Sequence, residues 1–313
     1  MNWRWKSRIQ NAVASLPMSN AIYYAIQRTT GNLRPGRHNP LEWFKAAVDL
    51  LAWANSTGQT ISGKRFLEVG TGRRLDIPTA LWLSGAGKIV TVDLNRYLSG
   101  ALLAESNEYV RRHRDETLKL FGEQAQTPQF QERFQQLVNF SGDLAAFLKM
   151  TNIEYMAPMD ATALPVPDHS FDFHISYTVL QHIPGDVILK LLAEARRILV
   201  PQGLLIHLID LSDMFSHNDK SITEINFLQF SEKEWEKLAG NKFMYHNRLR
   251  VYDYLELFRR AGMKVLKQKQ TMDERSLRIL KSGDFRLDHH FQDASPEELA
   301  VGRLRVLGSF GDV

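Results

Sequence analysis

The sequence predicts an α/β fold: a doubly wound, mostly parallel sheet of seven strands that carries helical insertions. Three observations point there. Short apolar runs alternate with helical stretches, beginning with a β-α-β unit over residues 66–93. Gly70 and Gly72 follow the first run, and an acid, Asp93, ends the second. Residues 204–209 are nearly all apolar, as a strand buried on both faces must be.

Residues 1–60 read as a helical, basic extension. Arg4, Lys6, Arg8, Arg28, Arg34 and Arg37 precede the first acid, Glu42, with Trp3, Trp5, Tyr23 and Tyr24 among them. Two readings stand. The arm makes peripheral contact with a membrane surface or an anionic substrate, or it packs on the domain with its charges in water. Leu41, Phe44, Val48 and Leu51 recur at helical spacing.

One decorated domain is expected over 61–313. Residues 66–69 form its first strand, and 75–83 the helix behind it, with Pro78 early, where proline is tolerated. A second strand covers 88–93. Residues of the first insertion, about 95–150, are charged and helical in pattern. Strands follow at 153–156 and 171–177, then an amphipathic helix at 187–199. Pro201-Gln202-Gly203 turns the chain into the fifth strand. A second insertion, about 211–250, is polar and rich in aromatics. A helix over 252–261 stops at Gly262. Strands are expected at 263–268 and 303–310, with 270–295 poorly patterned.

Composition removes several functions. The 313 residues include no cysteine, which excludes disulfides, thiolate metal sites and cysteine nucleophiles. No apolar run approaches the roughly 20 residues of a membrane span, and no secretory apolar core opens the chain. A cytoplasmic location is expected. The net charge of +4 calls for no nucleic-acid partner.

Glycines between a strand and a helix allow a tight turn and close approach of backbone to ligand. Asp93, about 20 residues on, can accept two ribose hydroxyls. Dinucleotide enzymes share these features. Two details separate the cases. A dinucleotide fingerprint places its third glycine at 75, where this chain has Leu75. Glu68 aims a carboxylate at the ligand end of the strand, which suits a cationic sulfonium and repels pyrophosphate.

Over roughly residues 64–268 the chain resembles class I S-adenosylmethionine-dependent methyltransferases of the small-molecule type. Their first motif is similar to Glu-x-Gly-x-Gly-x-Gly. Glu68, Gly70 and Gly72 match it, and Arg74 replaces the last glycine, narrowing the loop or adding a contact to the methionine carboxylate. Asp93 matches the ribose-binding acid and Asp160-Ala161 the adenine-reading pair. Phe171-Asp172-Phe173, Ser176-Tyr177 and Val179-Leu180-Gln181-His182-Ile183 look like the family's fourth strand and following helix. Arg259-Arg260-Ala261-Gly262-Met263 looks like its late helix–strand junction. The resemblance implies a Rossmann-like methyltransferase fold and S-adenosyl-L-methionine as cofactor. It implies cofactor contacts from Glu68, Gly70, Thr71, Gly72, Asp93, Asp160, Ala161, Ser176 and Tyr177. Residues 226–250 also resemble a subgroup associated with surface-glycan assembly.

Methyl transfer from a sulfonium mainly requires alignment of donor and acceptor. An oxygen acceptor needs a base or a metal as well. The Asn/Asp-Pro-Pro-aromatic motif of enzymes that methylate base amines is absent after the fourth strand. The catalytic candidates are His182, His207, Asp210 and His217, with Asp213 as a second acid. His182 alternatively lines a pocket, and His207, inside an apolar strand, needs a polar partner. A divalent metal held by carboxylates is the alternative to a base and is not expected. Aromatics with amides over 226–250 suit a sugar, and packing of a lid accounts for the same residues. The first functional reading is O-methylation of a sugar or another small molecule. Its rivals are an NAD(P)-dependent oxidoreductase and a non-catalytic S-adenosylmethionine-binding protein.

Overall fold

The computed structural model describes residues 2–31 and 33–311. Three helices lead: α1 (Trp3–Ala14), α2 (Ser19–Thr29) and α3 (Leu41–Asn55). Then come β1 (Arg65–Val69), α4 (Asp76–Leu83) and β2 (Lys88–Val92). The first insertion holds α5 (Gly100–Arg112), α6 (Arg114–Phe121), α7 (Pro128–Asn139) and α8 (Leu144–Thr151). They are followed by β3 (Ile153–Met156), β4 (Phe171–Tyr177), α9 (Gly185–Ile198) and β5 (Leu199–Asp210). The chain finishes with α10 (Glu232–Ala239), α11 (Val251–Arg260), β6 (Lys264–Met272), α12 (Glu274–Ser282), α13 (Pro296–Leu299) and β7 (Val301–Ser309).

The seven strands form one mostly parallel sheet in the order β3-β2-β1-β4-β5-β7-β6. β1 runs parallel to β2 on one side and to β4 on the other. The chain order therefore reverses at β1 and β4. In open α/β sheets a ligand crevice lies beyond the strand ends at such a point.

The chain divides into two compact units. The loop unit comprises Asn32–Tyr177, Leu191–Ile206 and Leu307–Val313. The arm unit comprises Met1–Gly31, Thr178–Lys190 and His207–Val306.

In the loop unit, the register sets the core. Phe66 lies opposite Phe173, and their rings stack 4.6 Å apart at 10°. Every residue of α4 is buried, which explains why all but Asp76 and Thr79 are apolar, and the Asp76 carboxylate is met by His38 at 2.6 Å. The helices of the first insertion start on side-chain caps: Ser99 for α5, Thr127 for α7 and Asp143 for α8. Phe121, Phe130, Phe134 and Phe147 from this segment join the central apolar cluster. The insertion is helical, as its pattern predicts, and its aromatics belong to the core.

In the arm unit a second cluster gathers Trp3, Phe215, Phe227, Leu228, Trp235 and Phe291. Arg250 is fully buried and donates to the carbonyls of Leu211, Leu299 and Val301. It ties together the segment after β5, the end of α13 and the start of β7. Burial lowers its pKa to about 10, so the clamp stays cationic at neutral pH.

The structure departs from the sequence pattern at the C-terminal end. β6 runs four residues beyond the strand expected at 263–268, and all nine of its residues are exposed. α12 occupies part of the unpatterned stretch, capped by the Asp273 carboxylate.

Candidate functional site

β1 ends in a glycine loop. Gly70 and Gly72 have φ of 90° and 62°, the left-handed region that glycine adopts without strain. The N–H groups of Gly70 and Thr71 donate to the Val92 carbonyl, so the loop folds over the end of β2. Asp93 fixes it there: its carboxylate accepts from Gly72 N–H and Asn95 N–H, each at 2.9 Å. A Cβ on Gly72 would meet nothing within 4 Å, so the loop presents an open side.

Glu68 sits one residue before the end of β1, in register with Thr91 of β2. That register explains the Thr91 hydroxyl, which donates to Glu68 at 2.5 Å. Thr71 of the loop bonds Thr91 in turn, at 2.6 Å. Glu68 is buried and has no cation partner among the described residues. Desolvation, with the nearby charges of Asp93 and Asp76, pushes its pKa up to about 8 despite the Thr91 bond. A buried acid short of a counter-charge is a fitting cradle for a cationic ligand. Burial also raises Asp93, against its two backbone N–H donors and the field of Arg73.

The other cofactor candidates lie near these in the same unit. Met159 N–H donates to the Asp93 carbonyl, which sets Asp160-Ala161 beside the end of β2. Asp160 is exposed and caps its own turn through Thr162 N–H. Ser176 is buried and pairs in register with Val69 at the end of β1. Tyr177, half-buried, ends β4. All nine candidates thus fall in the loop unit. Arg74 turns elsewhere: its guanidinium donates to the Leu102 carbonyl and the Ser106 hydroxyl of α5. The loop's departure from the Gly-rich pattern is thereby a latch onto α5.

The four catalytic candidates all fall in the arm unit, and three of them share one neighbourhood. Asp210, at the end of β5, accepts from the Ser212 N–H at 3.0 Å and the Ser212 hydroxyl at 2.5 Å. The same hydroxyl lies 2.8 Å from His217 Nε2, and Asp210 lies 3.6 Å from that nitrogen. With the serine proton committed to the carboxylate, Nε2–H donates to the serine oxygen. Nδ1 of His217 then keeps its lone pair. Desolvation lowers the His217 pKa, while Asp210 opposes that shift. His182 donates Nδ1–H to the Tyr245 carbonyl at 2.7 Å, leaving its Nε2 as an acceptor. The charge of Asp210 acts on His182 as well.

His207 stands apart. It is fully buried in β5 and stacks on Phe258 of α11 at 6.5 Å. Asp213 is also buried and turned away, accepting from Asn226 Nδ2 and Phe215 N–H. Burial raises its pKa to about 6. The aromatics and amides of 226–250 mostly build structure. Phe227 and Trp235 lie in the core, and Asn247 donates to the Leu180 and Ile183 carbonyls.

Sequence reasoning did not single out Thr91, Ser212 or His246. Register would have found Thr91, since it lies directly across from Glu68. His246 is buried edge-on against His182, with ring centroids 5.9 Å apart. Burial holds its pKa well below the usual imidazole value. Among the described residues, no group of three or more His, Cys, Asp or Glu is placed to hold a metal ion.

Residues 121–207 match the family model described as a methyltransferase domain. The match takes in Asp160, Ala161, Ser176, Tyr177, His182 and His207, and begins beyond the glycine loop and Asp93. No curated protein matches the chain. Among solved structures, an S-adenosylmethionine-dependent methyltransferase from Mesorhizobium loti is 14% identical, with 85% of this chain and 99% of that one covered and a TM-score of 0.44. One from Methanosarcina mazei is 14% identical, covering 82% and 97%, at 0.43. Magnesium protoporphyrin IX methyltransferase from Synechocystis, with S-adenosylhomocysteine bound, is 12% identical, covering 92% and 98%, at 0.46. At such scores these likenesses say nothing of an acceptor. The family match falls on the strands and turn where the sequence resembles the same family, and the sheet has the expected seven strands. Residues 121–207 thus carry the likeness to a methyltransferase domain, within a sheet of seven strands.

Proposed function

We propose that the chain methylates a hydroxyl oxygen of a small polyhydroxylated acceptor such as a sugar. The observation that carries this reading is the Asp210–Ser212–His217 relay. A neutral alcohol is a poor nucleophile, and a positioned base removes its proton as attack proceeds. His217 is held neutral by desolvation, and its Nε2–H is engaged by Ser212, so Nδ1 is the basic atom. Asp210 stabilises the imidazolium that proton uptake produces. The exposed Tyr245 ring, whose own carbonyl holds His182, offers an apolar face of the kind a sugar ring uses.

On the cofactor side, Glu68, Gly70, Thr71, Gly72, Asp93, Asp160, Ala161, Ser176 and Tyr177 would hold S-adenosylmethionine. Its bound form supplies a methyl group on a cationic sulfur, which departs as a neutral thioether. Glu68 would regain its charge beside that cation, and Asp93 would anchor hydroxyls while keeping the loop in place. No metal is needed for the proton transfer assigned to His217.

The test is methyl transfer from labelled S-adenosylmethionine to a panel of sugars, sugar phosphates, phenols and amines, with products identified by mass spectrometry. A methyl ether of a sugar is expected. Products methylated only at nitrogen or carbon would sink the oxygen reading, and transfer confined to phenols would sink the sugar. We also propose that the basic N-terminal arm makes peripheral contact with a membrane surface, supported by the run of cations before Glu42.

A further inference from the structure

The two faces of α1 have different uses. Trp3, Ser7, Gln10 and Val13 are buried. Trp3 packs against the Phe215 ring at 5.5 Å, the Ser7 hydroxyl donates to the Leu238 carbonyl, and Gln10 donates to the Tyr23 hydroxyl. The helix is therefore fastened along this side to its own unit. The opposite side carries Trp5, Ile9 and Ala12, spaced by four and three residues, so they form one stripe. The turn after the helix continues the apolar run with Leu16 and Met18. Trp5 is 61% exposed, Ile9 45%, Leu16 49% and Met18 79%.

Single exposed apolar residues are ordinary on a protein surface. Here four of the ten exposed large hydrophobic residues among the described residues fall within one short stretch, two of them, Trp5 and Ile9, on one side of α1. Arg4 and Arg8 flank them, both exposed, with the Arg8 guanidinium 5.2 Å over the Trp5 ring. No acid occurs on α1, on α2 or anywhere before Glu42. A stripe of this kind, with tryptophan on it and arginine at its rim, suits a helix lying in the plane of lipid headgroups. No helix of the described residues is long and apolar enough to cross a membrane, so α1 would lie along the surface.

Charge decides between a bilayer and a second copy of the chain. An isologous dimer through this face would bring two copies of the same cationic helix together, with no acid on either α1 to pair with Arg4 and Arg8. Anionic headgroups complement the same arginines. We infer that α1 and its following turn are an interfacial anchor, seating Trp5, Ile9, Leu16 and Met18 among the headgroups of an anionic bilayer. The inference rests on the reading that the arm meets a membrane, and it specifies the face and the lipid charge.

The test is co-sedimentation of the full chain with vesicles of phosphatidylcholine alone, or of equal parts phosphatidylcholine and phosphatidylglycerol, at low salt. Pelleting is expected only with the anionic vesicles. The double variant Trp5→Ser/Ile9→Ser should lower partitioning about tenfold or more, because two large apolar groups no longer insert. Arg4→Gln/Arg8→Gln should weaken it several-fold and flatten its salt dependence. All four positions are exposed, so the variants should keep the wild-type circular dichroism and melting temperature. Failure to pellet with either vesicle overturns both the membrane reading and the inference. Pelleting that Trp5→Ser/Ile9→Ser leaves unchanged overturns the face alone. Equal pelleting with both lipids overturns the anionic requirement. A dimer in sedimentation equilibrium that the same variant dissolves assigns the face to a second copy instead.

Discussion

Asp93 and Asp210 are both acids at the end of a strand, and they are used differently. Asp93 spends its two oxygens on the backbone N–H groups of Gly72 and Asn95, so it shapes a loop. Asp210 spends one oxygen on Ser212, its other lies 3.6 Å from His217, and its charge reaches two imidazoles. The first arrangement fixes backbone and so sets the shape of the loop. The second tunes side-chain protonation, which is what chemistry on an acceptor requires. The proposed function gives binding to Asp93 and proton transfer to the Asp210 neighbourhood, and substitutions can test that division.

The largest effect should come from His217→Ala. Loss of a positioned base should lower kcat about 10²–10⁴-fold. The affinity for S-adenosylhomocysteine, measured by calorimetry, should stay within about twofold if the division holds. In the wild type, activity should rise with pH through a pKa below the ordinary histidine value, because desolvation lowers His217. Asp210 opposes that lowering, so Asp210→Asn should move the acid limb to still lower pH. A limb that moves upward contradicts the arrangement.

Asp93→Ala should act on the other half. It removes the acceptor of the Gly72 N–H and any ligand hydroxyls. Cofactor affinity should fall by about 10–100-fold, the value of one or two hydrogen bonds to a charged group. At saturating cofactor, kcat should change only a few-fold. A large fall in kcat with unchanged affinity would reverse the roles of the two acids.

These two halves were not equally legible in the sequence. The loop, Asp93 and the strands around them follow from the spacing that a parallel sheet imposes. A short strand, a glycine turn, a helix and the next strand leave little freedom in where each residue lands. The Glu68–Thr91 contact follows from strand register, which sequence alone does not supply. In the arm unit, aromatics that line a ligand site and aromatics that fill a core look alike as letters. Phe227 and Trp235 prove to be core. His207 and His217 lie in one short stretch of sequence, yet one is buried on Phe258 and the other reaches Ser212. The end of β6 escaped notice because its residues are exposed on both sides, so no alternation marks it.

Ser212→Ala sharpens the picture of the relay with a smaller effect. It removes the hydroxyl between Asp210 and His217 and leaves both partners. A loss of about two- to tenfold in kcat is expected, the range of one neutral hydrogen bond. The pH profile should shift, because Nε2–H loses its acceptor. Ser212→Thr should restore both quantities. Rescue of neither would make Ser212 a matter of local folding.

Glu68 provides the subtlest test of the loop unit. Its pKa is raised from 4.5 in the unfolded chain to about 8 in the fold. A raised carboxyl holds its proton longer when folded, so the stability linked to Glu68 is fully present below pH 4.5. It is lost as pH rises toward about 8. Unliganded protein should therefore melt at lower temperature at pH 8 than at pH 5, and Glu68→Gln should flatten that dependence. A cationic ligand beside Glu68 favours the carboxylate and drives the proton off. Near pH 7, S-adenosylmethionine uptake should release a fraction of one proton, seen as a binding enthalpy that differs between phosphate and Tris buffers. The difference should vanish well above pH 8 and in Glu68→Gln. Equal enthalpies in the two buffers at pH 7 would mean that no cation settles against Glu68, and the cofactor would have to be held by the Asp93 side of the loop.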